Sequence, residues 1–243
     1  MHAHCGLEQA IYIPDPSIER IIKNMDRRGI KISVVSSLQA MHSDGLRGNR
    51  LLKEDIRKHA SRLKGYWTIN PNYCKELDEY LHDFSETEFV GFKFWSDYHK
   101  YPLTGQKYEP VLKYADEHGL LILMHVWKGN KYNTPLMVAK LAKKYPNITI
   151  IMGHSAYGEW EKAIVVAKKY SNVYLDLTSS YRVNGVVDWL VKDVGSERIL
   201  FGTDTPWFDP YCGIGCILFS RITDEDKHNI FHRNAERLLK KYI

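Results

Sequence analysis

Three features of the 243-residue sequence predict an α/β chain folded as a (β/α)8 barrel, the TIM-barrel class. Short apolar and β-branched runs each precede a longer stretch of helical periodicity, and eight such units follow one another along the chain. Several runs, Leu120-Leu121-Ile122-Leu123-Met124 above all, are continuously apolar, as parallel strands covered on both faces must be. No linker or low-complexity segment divides the chain, so residues 1–243 are expected to form a single domain. A doubly wound open sheet, with about five to seven strands, matches the count less well.

In order, the expected strands are an unusually short stub at 1–4, then 30–38, 65–69, 89–95, 120–126, 148–153, 173–178 and 198–203. The first helix is announced by Asp15 as N-cap and Pro16 at the first helical position. It carries Ile18, Ile21, Ile22 and Met25 on one face and stops at Gly29. Thr134-Pro135 repeats that start before residues 136–145. Residues 109–118 end at Gly119, and Thr223 opens a last helix reaching residue 240. Cys212-Gly213-Ile214-Gly215-Cys216 reads as a glycine-containing loop.

Lys plus Arg total 34 against 29 Asp plus Glu, a formal charge of +5. The excess is not clustered: the doublets Lys143-Lys144, Lys168-Lys169 and Lys240-Lys241 fall near helix ends, where cations offset the helix dipole, so no nucleic-acid partner is expected. No apolar run approaches the roughly 18 residues of a membrane span, and no secretory signal opens the chain, so a soluble protein is expected. Four cysteines, Cys5, Cys74, Cys212 and Cys216, are too few and too irregular for a disulfide framework, and point to a reducing cytoplasm.

The eleven histidines divide by position. His59, His82, His118, His228 and His232 lie in helical stretches and His42 and His99 in loops, where surface or capping roles suffice. His2, His4, His125 and His154 sit at strand ends, as does Asp204. In His2-Ala3-His4 the alternation of strand side chains sends both imidazoles to the barrel interior. A barrel brings these five positions onto one rim, where active sites of this fold are built. Nitrogen and carboxylate donors in that number suit one divalent ion, Zn²⁺ first with Mn²⁺ or Fe²⁺ as alternatives, and leave one coordination position for water. The competing reading is a metal-free rim of polar side chains that hydrogen-bond one another. Trp95, Trp127, Trp207, Tyr157 and Tyr181 gather in loops after strands and suit a flat, small-molecule substrate. Lys128 and Arg182 are cations placed to meet a substrate carboxylate.

The order and spacing of His2-Ala3-His4-Cys5-Gly6, Val90-Gly91-Phe92-Lys93, Met124-His125, Gly153-His154-Ser155, Gly202-Thr203-Asp204 and Asn234-Ala235-Glu236-Arg237-Leu238-Leu239 resemble the amidohydrolase superfamily. The likeness is to its amidohydrolase-related branch, which contains metal-dependent hydrolases and decarboxylases of aminocarboxymuconate-semialdehyde and resorcylate type. The resemblance implies that His2, His4, His125 and Asp204 ligate the metal and that His154 stands beside the bound water or substrate. It also implies a homodimer, and an architectural role for Asn234 as a cap or anchor. Two departures stand out. Only Met1 precedes the His-x-His, where relatives have a full strand, so either the strand is shortened or the natural chain starts earlier. Lys93 lies where binuclear relatives carry a carbamylated lysine; here it is read as a substrate-carboxylate contact or a buried structural cation.

Two reactions use these parts. In hydrolysis, the leading expectation, Asp204 and His154 take a proton from metal-bound water, which attacks a C–O or C–N bond. In non-oxidative decarboxylation of an aromatic or unsaturated acid, the ion holds a substrate oxygen while Asp204 or His154 protonates the carbon that CO2 leaves. A third reading is a barrel that binds without catalysis. Ser155 lacks a Gly-x-Ser-x-Gly elbow, which argues against a serine nucleophile.

Overall fold

The computed structural model describes residues 1–6, 12–73, 78 and 81–243. Eight parallel strands form one sheet in sequential order. They are β1 (Ala3–Cys5), β2 (Ser33–Ser37), β3 (Leu63–Ile69), β4 (Phe89–Phe94), β5 (Leu121–Trp127), β6 (Thr149–Tyr157), β7 (Val173–Asp176) and β8 (Ile199–Leu200). The sheet closes where the chain after β8 lies against β1. The Met1 ammonium donates to the Phe201 carbonyl at 2.9 Å, and His4 N to the Thr205 carbonyl at 2.6 Å. Thr203 N and Asp204 N both donate to the His2 carbonyl, at 2.9 and 3.1 Å.

Alternation along the strands separates two apolar layers. Ala3, Cys5, Ile122, Met124, Phe92 and Phe94 pack in the outer core beneath the helices. Val34, Tyr66, Val90, Leu121, Leu123, Ile151 and Leu200 fill the interior, closed below by Leu239 and Tyr242. The Tyr242 hydroxyl donates to the Val90 carbonyl at 3.1 Å. His2 and His4 alternate with Ala3 and Cys5, and His125 continues the parity of Leu121 and Leu123, so all three imidazoles belong to the inner face. In β4 the register shifts by one residue, Gly65 facing Phe89 while Tyr66 faces Gly91. That bulge brings Lys93 into phase with the interior.

Several element boundaries differ from expectation. The first helix is Ile18–Arg27, and its cap is Ser17, whose hydroxyl accepts from Arg20 N. Asp15 accepts instead from the Ser17 backbone and hydroxyl, at 3.1 and 2.6 Å, an Asx turn that delays the helix start. The Cys212–Cys216 segment is not a loop: it lies in the helix Pro210–Leu218, started by Asp209 as cap and Pro210 in the first turn. A β-carbon on Gly213 would come within 2.9 Å of the Tyr181 ring, so this glycine serves close packing. Cys74 lies outside the described residues. The helix expected at 109–118 is Glu109–Glu117, and Thr134 caps Pro135–Lys144. Among the described residues no helix is long and apolar enough to cross a membrane.

Thr223 opens the final helical stretch with a reciprocal capping box to Asp226. It continues through a π-helical turn, Asn229–Arg233, into Asn234–Leu239. Asn234 is fully buried, and its amide donates to the Ser196 and Ile199 carbonyls at 2.7 and 2.8 Å, tying this helix to β8. Asn234→Ala removes both of these hydrogen bonds, leaving Ser196 O with its bond from Ile199 N alone, and is expected to destabilise the fold by about 1–3 kcal/mol. A urea unfolding midpoint unchanged from wild type would refute that anchoring role.

Candidate active site

Strand ends and the residues just after them supply the parts of the site. Closure of the sheet places Asp204 against β1, and its Oδ1 lies 3.3 Å from His2 Nε2 and 3.2 Å from His4 Nε2. The outer nitrogens of both rings are already engaged. His2 Nδ1 is 2.7 Å from Asp176 Oδ2, and His4 Nδ1 is 2.8 Å from Ser36 Oγ. The Ser36 hydroxyl is directed at the Met41 sulfur, 3.8 Å away, leaving its oxygen to accept from His4. Two imidazole nitrogens and a carboxylate oxygen therefore converge, all buried, within 4.8 Å of one another. Borderline nitrogen donors plus one hard oxygen fit a first-row divalent ion or Zn²⁺, and the outer bonds are those that orient metal-ligating histidines.

His154 flanks this group, its Nδ1 3.8 Å from Asp204 Oδ2 and its backbone N 3.1 Å from Asp176 Oδ2. His2, His154 and Asp176 form a second close donor set. His125 falls in neither. Its Nδ1 lies 3.1 Å from His154 Nε2 and its Nε2 lies 3.5 Å from Asp97 Oδ2. Lys93 is buried, with Nζ 3.1 Å from His2 Nε2.

The backbone is bent to achieve this. His154, Ser155 and Ala156 have φ of 58°, 51° and 53°, and Asp204 has φ 55°. β-Carbon-bearing residues pay a conformational cost in this left-handed region. Between the pairs His125–Gly153 and Trp127–Tyr157 the β5–β6 register shifts, so the strand expected to end at residue 153 carries a bulge that swings His154 inward. Likewise the ladder of β8 ends at Leu200 instead of residue 203, because the chain leaves it to bond the His2 carbonyl.

A cavity of about 190 Å³ opens on the donors, lined by His4, Lys93, Trp95, His125, Trp127 and Trp207 together with His154, Ser179, Arg182, Asp204 and Phe208. The Trp207 ring packs 4.6 Å from His4, and Trp95 lies 6.2 Å from Trp207. Tyr157 is not in the lining; it stacks behind Trp127 at 4.3 Å. Tyr181 and Lys128 are also outside it, whereas the Arg182 guanidinium lies over Phe208 at the cavity wall. A larger, mainly apolar cavity of about 520 Å³ at the seam between the first and last helices lacks such a convergence of donors and aromatic rings. Sequence reading missed Asp176, Asp97, Ser36 and Phe208. Asp176 carried the signal used for the histidines, a polar residue at a strand's C-terminal end, but its partners lie on other strands.

Burial dominates the electrostatics. It pushes the pKa of His2 and His125 well below the usual imidazole value, with Lys93 and neighbouring histidines adding repulsion. It lowers His154 despite the attraction of Asp204 and Asp176. The Asp204 carboxyl is raised by the same desolvation, and the Lys93 ammonium is pushed down to about 8. In this state His2, His125 and His154 are neutral and offer lone pairs.

The family model described as amidohydrolase matches residues 24–241. The chain belongs to the amidohydrolase family. Its first matched residue lies beyond His2 and His4, so that pair is brought to the site by the fold described above. A curated relative, the gamma-resorcylate decarboxylase of Polaromonas sp. (strain JS666 / ATCC BAA-500), is 27% identical over 125 residues, covering 43% of this chain and 38% of the relative. The fold matches an uncharacterised TIM-barrel protein of Bordetella bronchiseptica at a TM-score of 0.77, with 18% identity over 93% of this chain and 84% of that one. It also matches a dihydroxybenzoic acid decarboxylase from Polaromonas sp. JS666, solved with manganese and the inhibitor 2-nitroresorcinol, at a TM-score of 0.70. Identity there is 18%, over 92% of this chain and 86% of that one. The expectation of a hydrolase is corrected by these findings: the curated relative and the metal-bound neighbour are both decarboxylases.

Keeping imidazoles neutral has a pH signature. His99, on the loop after β4, donates from Nε2 to the Met41 carbonyl at 3.0 Å, and burial pushes its pKa down to about 4. An unfolded histidine takes a proton near 6.5, so between these values the unfolded chain binds more protons and stability rises with pH. The metal-free protein is expected to hold full stability from this source above about pH 6.5 and to lose it as pH falls towards 4. Calorimetric Tm values across that range check this, and His99→Gln should flatten part of the slope.

Proposed function

We propose that this protein is a divalent-metal-dependent, non-oxidative decarboxylase of a small aromatic carboxylic acid. The observation that carries the reading is the His2, His4 and Asp204 donor set at a cavity walled by Trp95, Trp127 and Trp207. The decarboxylase relatives support the choice of reaction, and the manganese of the Polaromonas neighbour puts Mn²⁺ ahead of Zn²⁺ and Fe²⁺ as the ion to test.

His2, His4 and Asp204 would hold the ion; His125, which lies outside that set against His154 and Asp97, would join as a fourth donor only by turning its ring towards the ion. When bound, a divalent ion supplies a Lewis acid that anchors a substrate carboxylate or hydroxyl oxygen and offsets its charge. The three indoles hold the substrate ring and exclude water from it. Lys93 and Arg182 supply positive charge for the incoming acid. In the reaction the bond between the ring carbon and the carboxylate carbon breaks, its electron pair stays on the ring carbon, and CO2 leaves. The ring carbon then takes one proton. Asp204 is assigned as its donor, because it is the carboxyl of the donor set and lines the cavity. His154, whose Nδ1 bonds the Thr178 carbonyl at 3.3 Å and lies 3.8 Å from Asp204 Oδ2, stands beside the carboxyl and would pass it a proton from solvent after turnover.

Metal-stripped protein reloaded with Mn²⁺ is expected to release CO2 from γ-resorcylate or a related hydroxybenzoate, and the metal-free form is not. Full manganese occupancy without turnover across a panel of hydroxybenzoates and benzene dicarboxylates would overturn the reading. Asp204→Asn keeps an oxygen for the ion and removes the acid; CO2 release should fall by about 10²- to 10⁴-fold while bound manganese, measured by plasma mass spectrometry, persists.

A further inference from the structure

We infer that Asp176 is a positioning residue: one of its carboxylate oxygens sets the tautomer of His2 for metal binding and also holds the backbone of His154 in place. The inference rests on the metal-dependent reading above and goes beyond it, to a residue that touches neither substrate nor ion.

Asp176 ends β7 and is fully buried. Its Oδ2 accepts from His2 Nδ1 at 2.7 Å and from His154 N at 3.1 Å. Its Oδ1 accepts from Thr178 Oγ1 at 2.8 Å and from Thr178 N at 3.3 Å. Four donors saturate both oxygens, which argues against Asp176 as a metal ligand, although it falls in the second donor set with His2 and His154. The opposite edge of the His2 ring agrees. Lys93 Nζ, a donor with no acceptor capacity while charged, faces Nε2 at 3.1 Å. Nε2 therefore carries the lone pair and Nδ1 the proton, and Nε2 is the nitrogen that faces Asp204 Oδ1 at 3.3 Å. A carboxylate on the far nitrogen both fixes the ring and raises its basicity as a ligand. Ser36 supplies His4 with a neutral, weaker version of the same contact.

The second half concerns the left-handed run at 154–156. It is pinned to β7 and the loop after it at three points. Asp176 Oδ2 takes the His154 N–H, the Asp176 carbonyl accepts from Ser155 Oγ at 2.8 Å, and Ser180 Oγ donates to the His154 carbonyl at 2.5 Å. The space is closed on the other side as well: a β-carbon on Gly202 would sit 2.2 Å from Asp176 Oδ1 and 2.7 Å from the His2 β-carbon. The carboxylate cannot swing away, so a metal ligand and the histidine beside Asp204 share one fixed anchor.

The test uses the full chain, stripped of metal and titrated with Mn²⁺ alone while free Mn²⁺ is read by electron paramagnetic resonance. Asp176→Asn is close to isosteric: its amide oxygen stays on the His154 N–H and His2 Nδ1 with the NH2 turned to the Thr178 hydroxyl, but as a neutral acceptor it holds the Nδ1 proton less firmly and lowers the basicity of Nε2. Its Mn²⁺ affinity should fall about 10- to 100-fold. Ring ¹⁵N shifts of labelled, metal-free protein should report His2 protonated on Nδ1 in wild type and a population moved towards the Nε2 tautomer in the variant, a change that a purely structural role would not produce. Ser155→Ala loosens the 154–156 run without touching His2 and should keep Mn²⁺ affinity within about twofold. Asp176→Asn binding Mn²⁺ as tightly as wild type overturns the inference and leaves the metal-dependent reading standing. Wild type protonated on Nε2 also overturns it, whether or not the variant folds. No Mn²⁺ binding by wild type brings down the metal-dependent reading and this inference together.

Discussion

Four hydrogen bonds join residues 201–205 to Met1–His4, and the site depends on them. The β8 ladder is two residues long, so without these bonds the two ends of the sheet would be held only by side-chain packing. They set the last strand's continuation beside the first, and they bring Asp204 within hydrogen-bond distance of both His2 and His4, 200 residues or more earlier in the chain. The same strand register directs Ala3 and Cys5 outward, which commits His2 and His4 to the inside. Barrel closure and site assembly are thus one event. A short first strand suffices because its partner is a neighbouring strand on one side and a hydrogen-bonded loop on the other.

Removing this many polar groups from water is tolerable only where each has a partner. Asp176 meets the cost for His2 and His154, Ser36 for His4, and Asp97 for His125. Desolvation keeps His2, His125 and His154 neutral and so ready to donate electron pairs, while the same desolvation raises the affinity of Asp204 for a proton in the metal-free chain. Backbone strain falls at the two points where side chains must turn from the strand direction into the cavity, His154 and Asp204. Dense hydrogen bonding from β7 and β1 holds both.

Hydrolysis and decarboxylation need the same first set of parts: an ion, a carboxylate that moves a proton, and a neighbouring imidazole. The decarboxylase relatives favour the second reaction, and the cavity wall of Trp95, Trp127 and Trp207, with Tyr157 stacked behind Trp127, suits the flat acid proposed for it. Positions of indoles in the sequence place them after strands but cannot say which way each ring faces, so the choice of reaction was not readable there.

What the sequence by itself determined is what depends on local pattern. Apolar periodicity and capping residues set the count and order of strands, and strand-end position separated His2, His4, His125, His154 and Asp204 from the helical and loop histidines. Tertiary structure decided whatever depends on contacts distant in sequence. One local choice also escaped pattern reading, the turn competition by which Ser17 displaced Asp15 as cap. The bulges in β4 and β6 set the facing of Lys93 and His154, because one extra residue reverses a strand's parity and only the partner strand reveals it. Asp176 and Ser36 became recognisable as partners of the histidines once strands seven and two stood beside strand one's side chains in the closed barrel. A hydrogen bond between residues 174 positions apart leaves no periodic mark on the chain; it exists only after the ring closes.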